Sequence, residues 1–339
     1  MNIYYLGAFP IEGGGVTIKN RDLFYALSGK GLKLKKIDLN KITRHRSVWE
    51  LLKFVFVFLN PKNKFVIGIS TGVCTRRTFS KLFYIFNKRA MSKSIILIMG
   101  GTDAHTIAMD EEYRKWVRRY KMVYVETSSM LDELRSAGMT NCALYPNGRF
   151  KPEEKISVKD NAGKLRCVFF SYIRPEKGAD IVLSAAAKLS NVDFAFYGSV
   201  YEAYKEDFEN NISRVSNAIY KGNFKGTPEQ VYRELGNYDI LILPTRYKTE
   251  GVPGILVEAK IAGITSIVSN ESHNAEIVSD GKDGVVLRKN DEDELIRAIS
   301  ELDVDRAKLQ QLKEGSFRSA NNFYIENYID GIVETLVQQ

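Results

Sequence analysis

The sequence is poor in the residues from which metal sites and covalent scaffolds are built. Of 339 residues, three are cysteine and three are histidine. Cys74, Cys142 and Cys167 lie far apart and form no C-x-x-C pair, which speaks against a disulfide framework or a zinc site and for a reducing compartment. His45, His105 and His273 are equally scattered, so no histidine metal cluster is expected. Long apolar runs are missing too. The most apolar stretch, residues 51–59, is interrupted by Lys53 and falls well short of the ~20 residues that span a bilayer. The opening MNIYYLGAFP has no basic start followed by an apolar core, so no secretory signal is expected and the expected compartment is the cytoplasm.

What is present describes a globular protein. Hydrophobic residues make up 44% and charged residues 27%, the balance of a soluble domain. The length exceeds that of one hydrophobic core, so two domains are expected. The net charge is +8. This serves solubility alone or an anionic partner: a membrane surface, a substrate or nucleic acid.

Short apolar runs alternate with helical patterns. Strands are expected at 2–6, 32–39, 64–69, 94–99 and 122–126, with helices at 16–28 and 129–137. A turn at Pro146-Asn147-Gly148 and the polar stretch 151–164 read as a boundary and linker. The alternation restarts with strands at 165–171, 193–197, 218–221, 240–243, 265–269 and 285–287. Helices are expected at 179–189, 228–235, 255–261 and 291–302, and over 305–337 with a break near Gly315. This pattern predicts an α/β protein of two parallel sheets with helices on both faces, ligands lying beyond the C-terminal strand ends. The expected division is 1–150, 160–320 and a last helical piece, 321–339, crossing back to the first domain.

The strongest chemical signal runs from Glu250 to Glu258 as EGVPGILVE, directly after the strand ILILPT. Gly251, Val252, Pro253 and Gly254 form a turn that opens a helix, whose N-terminal N–H groups and partial positive charge suit a diphosphate. Glu258 lies on the order of 6 Å along the axis from Gly254, and a carboxylate at such a place can accept two hydroxyl hydrogen bonds from a sugar diol. Either glutamate alone would read as a solvated acid at a helix start; the strand–turn–helix arrangement as a whole reads as a site.

With Pro244, Ala259, Ala262 and Gly263, this segment resembles the E-x7-E signature of retaining GT-B glycosyltransferases, notably family four. The resemblance implies two Rossmann-like domains facing each other across a cleft. It implies that Glu250 contacts the donor sugar and that Glu258 holds the nucleotide ribose. Ser171 to Gly178, SYIRPEKG, is similar to the family's G-R-L-x-P-E-K-G, whose arginine and lysine bind the donor diphosphate. Lys177 matches the lysine. Tyr172 stands where the arginine is expected, and Arg174, two residues on, is the candidate substitute. Gly222, Asp239, Glu276, Gly281 and Gly284 extend the likeness and read as structural.

In the N-terminal half, Gly14 and Gly15 resemble the family's glycine-rich loop after the first strand, where backbone N–H groups approach phosphate or sugar closely. Gly100-Gly101-Thr102-Asp103 resembles its G-S/T-D segment, making Asp103 a sugar- or acceptor-side candidate and placing His105 nearby. Asp291-Glu292-Asp293 and Asp303-Val304-Asp305 have the D-x-D form of a metal site but lie in polar helical contexts and read as solvated faces. No metal and no cofactor are expected. Basic residues interleave with apolar ones around 41–59 and 76–93, a pattern that suits an anionic membrane surface or equally a core helix with a basic solvent face; no nucleic-acid motif accompanies it.

The reading that follows is a retaining transferase. It would move a sugar from a UDP- or GDP-sugar to a saccharide or lipid-linked acceptor in bacterial-type surface polysaccharide or glycolipid synthesis, with a peripheral position on the inner membrane face. A sugar-nucleotide epimerase of the same architecture and a non-catalytic partner subunit remain open beside it.

Overall fold

A computed structural model describes residues 2–9, 15–43, 45–69, 72–160, 163–247 and 251–338. The chain folds as two compact units, one of Met1–Lys151 with Tyr324–Gln339, the other of Pro152–Phe323.

The first unit is built on six parallel strands: β1 (Ile3–Gly7), β2 (Leu34–Asp38), β3 (Lys64–Gly68), β4 (Ile95–Ile98), β5 (Met122–Val125) and β6 (Cys142–Leu144). Their order is β2-β1-β3-β4-β5-β6. Every residue of β3 and β4 is buried, as expected of a sheet covered on both faces. Phe58, Phe65, Phe83 and Ile96 fill one face. Tyr5, Leu23, Leu97, Ile329 and Ile332 fill the other. The last helix, Ile329–Val337, thus belongs to the core of this first unit. The Lys64 ammonium, its pKa lowered by burial and by nearby Lys121 and Lys93, donates to the Leu336 carbonyl at 2.6 Å.

The second unit repeats the scheme with β7 (Arg166–Phe170), β8 (Asp193–Tyr197), β9 (Ala218–Gly222), β10 (Ile240–Leu243), β11 (Thr265–Ser269) and β12 (Gly284–Leu287), ordered β12-β11-β10-β7-β8-β9. All pairings are parallel. The strand order reverses between β7 and β10, and ligands in open α/β sheets bind beyond the C-terminal strand ends at such a point.

Two sequence expectations are corrected. β6 has only three residues and was not foreseen. The helix Arg306–Ser319 runs through Gly315 without a break. A Cβ on Gly315 would meet the Lys282 carbonyl oxygen at 2.0 Å, so the glycine is there for close packing. The helix ends instead at the 3₁₀ turn Ala320–Phe323. The two D-x-D segments do local work: Asp291 and Asp305 cap helices by accepting from the N–H groups of Glu294 (2.8 Å) and Lys308 (2.9 Å). Among the described residues no group of three or more His, Cys, Asp or Glu could hold a metal ion, and no helix is long and apolar enough to cross a membrane.

Candidate active site

Charged and aromatic side chains of the second unit lie on the segments that follow β7, β8 and β10. After β7 the chain runs extended and adds to the end of β8: the Ile173 N–H donates to the Ser199 carbonyl (2.9 Å) and the Tyr201 N–H to the Ile173 carbonyl (2.9 Å). This approach needs Gly198, with φ 138°, because a Cβ there would lie 1.9 Å from the Ser171 carbonyl oxygen. Tyr201 is thereby set beside Tyr172, their rings 6.2 Å apart and edge to face.

Arg174 lies among three exposed tyrosines. Its guanidinium is 5.2 Å from the ring centre of Tyr201, 5.9 Å from Tyr247 and 6.0 Å from Tyr172. Flat, weakly hydrated guanidinium groups favour such aromatic faces. Its Nε donates to Glu176 at 2.8 Å; that hydrogen bond, foremost, draws the Glu176 carboxyl down to about 2. Lys177 closes the 3₁₀ turn Pro175–Lys177, its ammonium 5.6 Å from the Tyr247 ring centre. Arg174 and Lys177 therefore share one aromatic neighbour, and that neighbour sits on the loop after β10.

That loop is fastened from several sides. The Arg246 N–H donates to the Glu176 carbonyl at 2.8 Å. Its guanidinium meets both Asp180 oxygens at 2.8 and 2.7 Å. Ser269 Oγ donates to the Thr245 carbonyl (2.6 Å), and the Asn290 amide donates to the carbonyls of Pro244 (3.3 Å) and Thr245 (3.2 Å). Gly178, at φ 81°, completes the joint; a Cβ there would lie 2.4 Å from the Pro244 carbonyl oxygen. A left-handed non-glycine residue costs roughly 1–3 kcal/mol, and this clash with backbone adds to it. Gly178→Ala is therefore expected to lower the denaturant midpoint of the second unit, as checked by urea melts.

Beyond the loop, Val252 and Pro253 are buried and Gly251 and Gly254 half-buried. Pro253 caps the helix Gly254–Ile261, and Glu258 is half-buried one turn inside it. The next residue but one, Lys260, points the other way into a buried ion pair with Asp283 at 2.9 Å. Glu250, the other half of the expected glutamate pair, lies outside the described residues, as does Gly14. Gly15 is the first residue of the helix Gly15–Gly29.

The N-terminal candidates fare differently. Asp103 is fully buried. One carboxylate oxygen is bound by Arg76 Nε and the other accepts from the Tyr113 hydroxyl at 3.3 Å. Burial pushes its pKa up against the pull of Arg76. Both its oxygens help to hold the turn after β4. His105 is exposed and its Nδ1 lies 2.6 Å from Glu133, a surface pair. The same unit holds a group the sequence did not announce: Lys19, on the helix Gly15–Gly29, pairs at 2.9 Å with Glu126 at the end of β5, both buried. Burial lowers the Lys19 pKa while Glu126 raises it. Tyr201, Tyr247 and Arg246 were also missed, although each follows a strand end, the one signal that could have singled them out.

Two Rossmann-like domains, each on six parallel strands, define a protein of the GT-B class. Residues 150–318 match the family described as glycosyl transferases group 1, and the protein is a glycosyltransferase. It is 22% identical over 93% of its length to an uncharacterized 41.2 kDa protein in the cps region of Klebsiella pneumoniae, 85% of which is covered. Among solved structures it is similar to Alr3699/HepE of Anabaena in complex with UDP (14% identity, 99% of each chain, TM-score 0.73). It is similar also to sucrose-phosphate synthase of Thermosynechococcus elongatus (14% identity, 98% of each chain, TM-score 0.75). At these identities the structural likeness speaks for the fold.

Proposed function

We propose that the chain is a retaining glycosyltransferase of family four. It moves a sugar from a UDP- or GDP-sugar to a saccharide or lipid-linked acceptor during surface polysaccharide or glycolipid synthesis. The observation that carries this reading is the convergence of Arg174 and Lys177 on the Tyr247 ring at the strand-order reversal. The helix carrying Glu258 follows on the same loop. The Anabaena neighbour's UDP and the cps-region relative support the donor class and the polysaccharide setting.

In this reading the diphosphate rests on Lys177, Arg174 and the N–H groups opening the helix Gly254–Ile261. Glu258 accepts hydrogen bonds from the ribose diol and Glu250 orients the sugar. The bond between the anomeric carbon and the diphosphate oxygen breaks, and the electron pair leaves with the diphosphate, where the two cations stabilise it. The acceptor hydroxyl attacks from the face being vacated and gives its proton to the departing phosphate oxygen, so the configuration is retained. The charge is carried by side chains, and the step asks for no metal.

Calorimetric titration with UDP, GDP and NAD, on the wild type and on Glu258→Ala, tests the assignment. UDP or GDP is expected to bind selectively. Loss of a charged hydrogen-bond acceptor should weaken it about 10- to 100-fold. Equal affinity in the variant would remove Glu258 from the site. Nuclear magnetic resonance of the product's anomeric centre tests the stereochemistry, and an inverted product would overturn the mechanism.

A further inference from the structure

The helix Val48–Leu59 is held by one face only. Its Phe58 ring packs 4.8 Å from Phe83 and 5.7 Å from Phe79, and Val57 is buried beside it. The other face is equally apolar and open. Trp49 is 83% exposed and Phe56 79%; Val48, Leu52, Val55 and Leu59 are exposed with them. These positions recur at three- and four-residue spacing and so form one stripe. The helix Val73–Phe86, against which Phe58 packs, exposes Leu82, Ile85 and Phe86 near its C-terminal end. An ordinary amphipathic surface helix would turn charge to the solvent here. This one carries Lys53 as its single cation and Glu50 as its single acid.

The sequence around the stripe is one-sided in charge. From Lys41 to Lys93 it holds twelve lysines and arginines and one acid, Glu50; of these cations Lys64 is buried and Arg76 and Arg77 pair with Asp103 and Asp110. Lys53, Lys81, Lys88 and Arg89 are exposed among them. An apolar stripe with an aromatic at each end and a basic surround fits an interface that is greasy inside and negative outside. A second copy of this chain fits poorly, because it would set the same cations against each other.

We propose that the face built from the helix Val48–Leu59 and the end of Val73–Phe86 docks on an anionic lipid surface. Trp49, Leu52 and Phe56 enter the acyl boundary, and Lys53, Lys81, Lys88 and Arg89 lie against the headgroups. Docking of this kind is independent of the nucleotide site and holds the first unit at the membrane whatever sugar is transferred.

The test is flotation of the full chain with vesicles of phosphatidylcholine alone and of phosphatidylcholine with phosphatidylglycerol. Tryptophan emission is recorded in parallel. The chain has two tryptophans, and Trp116 is buried, so a blue shift reports on Trp49. The protein is expected to float with the phosphatidylglycerol vesicles, to shift its emission, and to be released by salt. Trp49→Ser/Phe56→Ser is expected to stay in solution while binding UDP or GDP, whichever the wild type selects, with unchanged affinity, which separates failure of docking from failure of the donor site. Lys53→Glu/Lys88→Glu, which leaves the apolar stripe intact, should weaken binding by about fivefold or more for each cation lost. Three results overturn the proposal. The first is a wild type that ignores anionic vesicles. The second is a serine variant that floats like the wild type. The third is a dimer in the absence of lipid that the serine variant converts to monomer.

Discussion

Lys177→Ala is expected to lower the turnover number by about two to three orders of magnitude, with a smaller rise in donor KM. Charge on the diphosphate is greatest as the bond to the sugar breaks, so a cation fixed beside it acts more on the transition state than on the bound donor. Removing one preorganised donor of that kind costs about 10²- to 10³-fold in rate. Arg174→Ala should follow the same direction, and Arg174→Lys should recover only part of the loss. The lysine restores charge but not the flat group that lies among Tyr172, Tyr201 and Tyr247. Glu176→Gln is the informative companion. Glu176 now holds the Arg174 guanidinium at 2.8 Å; a neutral amide holds it less, so the donor KM should fall. Steady-state kinetics on the four variants decide the matter. An Arg174→Ala enzyme with wild-type kinetics would show that the cation absent at Tyr172 is not replaced from this position.

The second large effect is on stability. Asp103→Ala is expected to lower the stability of the first unit by about 3–5 kcal/mol, because it leaves the Arg76 guanidinium buried without its partner. For a unit of this size that is a fall in melting temperature of roughly 10 °C. The donor KM of the folded fraction should not move. Replacing both partners with apolar residues of similar volume, Arg76→Met with Asp103→Leu, should recover much of the loss, since the apolar pair strands no charge. Differential scanning calorimetry checks both. A fully stable Asp103→Ala protein that has lost transfer would instead return this aspartate to the acceptor side.

The strands were legible in the sequence because buried parallel strands are short apolar runs. Those at 193–197, 240–243 and 265–269 were placed to the residue. β6 escaped because Cys-Ala-Leu is too short to carry a pattern. Gly315 was misread because a glycine needed for tertiary contact with Lys282 looks the same, in one dimension, as a glycine that ends a helix. In the candidate site, Lys177, Arg174 and the turn into Gly254–Ile261 were legible because they follow strand ends within a continuous motif. The buried pairs Lys19–Glu126 and Arg76–Asp103 were not. Their partners are 107 and 27 residues apart, and nothing local distinguishes a lysine that will be buried from one that will be solvated. For Asp103 the motif gives the position after a strand end, while the buried cation it meets, Arg76, comes from another helix.

The place of the helix Ile329–Val337 in the core of the first unit separates the order of the chain from the order in which it can be completed. A chain emerging from the ribosome presents residues 1–151 first, but Ile325, Ile329, Ile332 and Leu336 reach Tyr5, Leu23 and Leu97 only after Pro152–Phe323 has been made. That stretch holds all six strands of its own sheet and can close while the earlier one still waits, its apolar face uncovered. The half translated first is thus the half finished last. A stop codon near residue 323 would leave the second unit whole and strip the first of the segment that covers Tyr5, Leu23 and Leu97.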